Sequence, residues 1–92
     1  MSKVSEKKKD KIMANIIAHL YQHAPQALFA SEISTLEARD EEFIKSLLQE
    51  LEKKQLVIKI TKGPQGQQYQ RRQRWRLSNS AYEAYSKIQI KY

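Results

Sequence analysis

The segment Gln70–Arg76 reads QRRQRWR and gathers four arginines around one tryptophan. A guanidinium is always charged and donates two parallel hydrogen bonds to a phosphate or a carboxylate. Arg71, Arg72, Arg74 and Arg76 are therefore candidates for holding a polyanion, against the plainer reading of a solvated strand face. Lys59, Lys62 and the glutamines Gln65, Gln67 and Gln68 lie around the preceding loop. The lysines can meet phosphate, and a glutamine such as Gln67 can bridge bases or backbone. Trp75 can stack on a base, but its place in the alternation makes it a core anchor instead.

Catalytic chemistry finds no such cluster. There is no cysteine, which removes disulfides, thiolate metal sites and a cysteine nucleophile. His19 and His23 are four residues apart, a spacing that can serve a metal, yet no Cys or Asp ligand stands near them. No metal and no cofactor are expected. Gly-rich phosphate loops, a Ser–His–acid arrangement and a paired-carboxylate cleft are all missing. The acids Asp40, Glu41 and Glu42 read as the start of a helix. The sequence describes a binding protein and not an enzyme.

The net charge of +7 is unevenly spread. Residues 1–52 hold seven Lys/Arg against nine Asp/Glu, and residues 53–92 hold ten against one, giving −2 and +9. The second half thus expects a polyanionic partner. At 92 residues and 40% apolar content, the chain suits one small domain with a modest core. Its first apolar cluster, Ile12–Leu20, is interrupted by Asn15 and His19, and nothing approaches a membrane-spanning length. A cytoplasmic protein without a membrane partner is expected.

These residues must be positioned by a helical half followed by a β half. Residues 1–9 form a flexible, basic lead, and one domain spans 10–92. Ile12, Met13, Ile16, Ile17 and Leu20 make one apolar stripe, so a helix is predicted from Asp10 to about Gln22, ended by Pro25. Leu28 to Leu36 holds a short helix with Ser31 as its cap. A long helix follows over Asp40–Lys54, with Asp40 capping and Glu41 and Glu42 matching the dipole. After Gln55 the period falls to two, giving a strand from Leu56, a loop with both glycines, and a second strand. On that strand Trp75 and Leu77 face the core, while Arg72, Arg74 and Arg76 form a ladder toward water. A last helix begins at Ser78 or Ser80 and packs through Ala81, Tyr82, Tyr85 and Ile88.

The run LLQELEKKQLVIKI, Leu47–Ile60, and the later RWRLS, Arg74–Ser78, resemble winged helix-turn-helix DNA-binding domains at the junction of recognition helix and wing and at the second wing strand. Gln55 stands where that family often has a helix-ending glycine. The resemblance covers about residues 10–88. It implies a mainly α fold with a small β-hairpin (α+β): a three-helix core, a two-stranded wing and a C-terminal helix. It also implies duplex DNA as partner, with the third helix at the major groove and the wing, residues 63–72, at phosphates or minor groove. On that helix and just before it, Arg39, Lys45, Ser46 and Gln49 become candidate contacts. Its acidic start supports the alternative of a winged-helix module that binds a protein. Transcription or replication regulation is the expected role, sequence-specific or architectural, with a homodimer seam at the first and last helices, Ile88, Ile90 and Tyr92.

Overall fold

The computed structural model describes residues 6–60 and 73–90. The apolar stripe of the first helix appears as α1, Glu6–His23, which buries Ile12, Met13, Ile16 and Leu20. It begins four residues earlier than the stripe predicts. Lys9 is tied to Glu50 across 2.7 Å, so a contact with a distant helix extends α1 into its polar lead. Pro25 follows the end as expected.

The short helix is α2, Ala30–Glu37. Ser31 does not cap it. The chain enters from Phe29 in an extended conformation, and the Glu32 carboxylate accepts from the Phe29 N–H at 2.8 Å. The acid three residues in satisfies the Phe29 N–H, so the helix entry is fixed from within its first turn and not by a serine cap. The third helix, α3, spans Glu41–Lys53, and Asp40 caps it by accepting from the Phe43 N–H. Its Ile44, Leu47, Leu48 and Leu51 are all buried.

Both helices end by the same device. Ala38 (φ 55°) and Gln55 (φ 63°) take the left-handed conformation. The Gln55 and Leu56 N–H groups then close back on Glu52 and Leu51, while those of Ala38 and Arg39 close on Thr35 and Ser34. These are Schellman closures made without glycine. The substitution at Gln55 therefore keeps the geometry a glycine would supply.

The β half contains one strand more than the sequence reading. Leu28–Phe29 forms β1, followed by β2, Val57–Ile60, and β3, Arg74–Leu77. The sheet order is β1-β3-β2, antiparallel throughout. The wing pair β2–β3 is as expected, and β1 adds a short third strand from between α1 and α2. Residues facing Trp75 across the sheet are Leu28 and Lys59, and Val57 faces Leu77. Trp75 and Leu77 are buried, as the alternation requires.

The last helix, α4, spans Asn79–Ile90. Ser78 is its cap, accepting from the Ala81 N–H at 3.2 Å, which resolves the choice between Ser78 and Ser80. Ala81 is buried. Ile88, expected to pack, is instead 52% exposed, and Tyr82 packs on only one side and stays 43% exposed. Tyr21 of α1 meets the rings of Tyr82 and Tyr85 and reaches the Ser86 hydroxyl. Tyr21 and the buried Ala81 thus hold this helix, and Ile88 on its stripe is left exposed. No helix among the described residues is long and apolar enough to cross a membrane.

Candidate nucleic-acid interface

The exposed side of α3 is laid out by its own amphipathicity. With Ile44, Leu47, Leu48 and Leu51 turned inward, Glu41, Lys45 and Gln49 form one row at four-residue spacing. That row borders a shallow groove of about 160 Å³ whose other lining is Phe29, Ala30, Ser31, Gln73 and Trp75. The groove runs between the third helix, the start of α2 and the root of the wing. β1 is what brings Phe29 and Ser31 there, because its pairing with β3 draws the α1–α2 connection against the sheet.

Lys45 is held by two carboxylates. Its Nζ lies 3.2 Å from Glu42 and 3.7 Å from Glu41. The hydrogen bond to Glu42 is the main reason its pKa is raised above the usual lysine value, with the Glu42 and Glu41 charges adding to it. Ser46 is exposed, but its hydroxyl donates to the Phe43 carbonyl at 2.6 Å. Gln49 is exposed along the same helix, and Arg39 is exposed in the turn between α2 and α3.

Of the expected arginine ladder, Arg74 and Arg76 fall among the described residues, and neither is fully exposed. Arg74 is half-buried, with its guanidinium 4.7 Å from the centre of the Phe29 ring. Arg76 is half-buried too, and its Nη1 donates to the Leu77 carbonyl at 3.0 Å. Alternation gives the outward direction correctly. It omits β1, whose Phe29 stands opposite Arg74 and supplies a ring to stack on. Lys59 lies on the other face, where its Nζ sits 5.8 Å from the Trp75 ring centre. Lys62, Gln67, Arg71 and Arg72 lie outside the described residues.

The groove thus unites Lys45 and Gln49 from the expected set. Arg39, Lys59, Arg74 and Arg76 stand apart from it. Ser31 and Gln73 were missed as groove residues. Gln73 shares the parity of Trp75, a signal that could have marked it. Ser31 depends on β1, and a two-residue strand leaves no period to find.

Two polar ties fix α1 to the helix pair. Lys9 bonds Glu50 of α3. His19 Nε2 lies 2.6 Å from Glu37 of α2, and Asn15 donates to the other oxygen of that carboxylate. The histidine singled out for its spacing is a structural partner of Glu37, and no group of three or more metal-ligating side chains occurs among the described residues.

No family model and no curated protein matches the chain. Solved structures do. The Staphylococcus aureus MepR–DNA complex superposes with a TM-score of 0.71 at 23% identity, covering 92% of this chain and 69% of that one. MepR in its DNA-binding conformation gives 0.66 at 23% identity, covering 87% and 58%. A mutant of Lactococcus lactis ZitR gives 0.68 at 16% identity, covering 98% and 57%. The chain spans 53% of another similar structure, a MepR mutant from a multidrug-resistant S. aureus clinical isolate. The common property at these identities is the fold: this chain is a winged helix-turn-helix.

Proposed function

We propose that the chain binds duplex DNA as a small winged-helix regulator, with the first half of α3 at the major groove and the wing root at the phosphate backbone. The observation that carries this reading is the groove itself. One open helix row, Glu41–Lys45–Gln49, lines it together with Trp75 of β3, the strand that bears Arg74 and Arg76 and belongs to the half of the chain with net charge +9. Support comes from the fold shared with MepR, which is described as a transcription regulator of a multidrug efflux pump and has been solved with DNA. The activity is binding and not catalysis, and it belongs in the cytoplasm. A homodimer seamed along α1 and α4 would let two copies meet two half-sites. Arg39, Ser46, Lys59, Lys62, Gln67, Arg71, Arg72 and Arg76 remain in the proposed contact set, together with Lys45, Gln49 and Arg74.

The test is fluorescence anisotropy on several duplexes over a range of salt. Replacing Arg72 and Arg74 with glutamine should weaken binding similarly for all sequences. It should also reduce the slope of log affinity against log salt by roughly 0.9 per lost phosphate contact. Unchanged affinity and slope in the folded variant would refute the wing contact. The acidic start of α3, with Glu41 and Glu42 both exposed, favours a second reading as a protein-binding module. Failure of the parent protein to bind any duplex would select it.

A further inference from the structure

We infer that the first turns of α3 select a C·G base pair, Glu42 accepting from the cytosine N4 amino group while Lys45 donates to the guanine. This rests on the duplex-binding reading above. The starting point is which polar groups of α3 are still available to read bases. Asp40 is committed to the Phe43 N–H, and the Ser46 hydroxyl to the Phe43 carbonyl. Glu41 lines the groove beside Trp75. Glu42 has a side chain 79% exposed and lies 3.2 Å from Lys45 Nζ, with Glu41 also 3.7 Å from that ammonium.

A carboxylate brought toward a polyanion loses hydration and is repelled, unless it accepts hydrogen bonds there. The donors that a major groove offers are the exocyclic amines of cytosine and adenine. In a C·G pair the N4–H donates to guanine O6, so donor and acceptor stand about 3 Å apart. The Glu42–Lys45 pair presents the opposite order, acceptor beside donor, at a similar separation. Guanine adds N7 as a second acceptor for the ammonium, whereas an A·T pair sets the thymine methyl beside its O4. The two charged groups then stay side by side while each gains a base contact in place of water.

The experiment begins with the full chain and a randomised duplex library. Anisotropy is then measured on the selected site, its single-pair variants and a scrambled duplex. The parent should prefer C·G at one fixed position by about 5- to 150-fold, the range of one good base contact. Glu42→Ala should flatten that preference while binding the scrambled duplex more tightly, because a repulsive charge is gone. Lys45→Met should flatten the same preference and weaken binding to both. Both positions are exposed on the helix surface, and circular dichroism checks each fold. An unchanged preference in Glu42→Ala, weaker general binding by that variant, or selection of A·T would overturn the assignment. Salt-dependent binding by the parent without base preference would sink this inference alone. No duplex binding at all would sink the duplex reading along with it.

Discussion

Trp75 shows how far single residues can be read before a fold is known. Its parity with Leu77 marks it as inward, and it is 3% exposed in contact with the core. Trp75→Ala should cost about 3–5 kcal/mol of stability, measured by urea denaturation, and should lose binding only through unfolding. A variant as stable as the parent that no longer binds would make the ring a contact residue. Arg74 marks the limit. Alternation sets it on the outer face, but its stacking on Phe29 depends on a partner 45 residues earlier in the chain. Exposed rows such as Lys45 and Gln49 were legible because a helix with a strong apolar stripe leaves them no other direction. Ser31 and Gln73 were legible only in part, since their meeting is set by tertiary pairing.

Helices were the easiest elements to foresee, through spacing and Pro25, and the drop to a period of two marked the wing. β1 escaped because two residues carry no period, and only the register with β3 makes them a strand. The left-handed helix ends give an element-scale prediction. A non-glycine residue in that conformation costs about 1–2 kcal/mol, partly offset by the greater entropy of an unfolded glycine. Gln55→Gly should therefore raise stability by about 0.5–1 kcal/mol in denaturant titration, without altering the Leu56–Leu51 closure.

The Lys9–Glu50 tie predicts a pH dependence. Accepting from Lys9 lowers the Glu50 pKa from its ordinary 4.5, and the same bond raises that of Lys9 from 10.5. A lowered carboxyl pKa means stability present above the ordinary value and lost as pH falls through the lower, folded one. The raised lysine pKa extends the pair on the alkaline side, its contribution being lost only as pH rises through the folded value. Thermal unfolding of the parent and Glu50→Gln should thus differ near neutrality, and the gap should close as pH drops below about 4. A gap independent of pH would assign the effect to packing.

At the scale of the molecule, the exposed part of α4 bears on assembly. Ile88 is 52% exposed, and Tyr82 stays 43% exposed although one side of its ring meets Tyr21. Sedimentation at micromolar concentration should show a dimer, and Ile88→Lys should shift it toward monomer. A parent that sediments as a monomer with and without DNA would end the proposed seam. The charge split is also a whole-molecule property: the helical half carries −2, and the half from Lys53 onward carries +9.

One residue, Ser78, separates the end of β3 from the start of α4. Its N–H is bonded to Leu56, its hydroxyl accepts from Ala81, and its carbonyl accepts from Tyr82. β3 is the middle strand, joined on one side to β2 and on the other to β1. With all three of these groups engaged, Ser78 leaves little slack between the strand and the helix, as in a crank. A torque on α4 would pass to the central strand, and from it to β2 on one flank and β1 on the other. Two such cranks clamped together would have their reading heads set at a fixed spacing by the angle between their shafts.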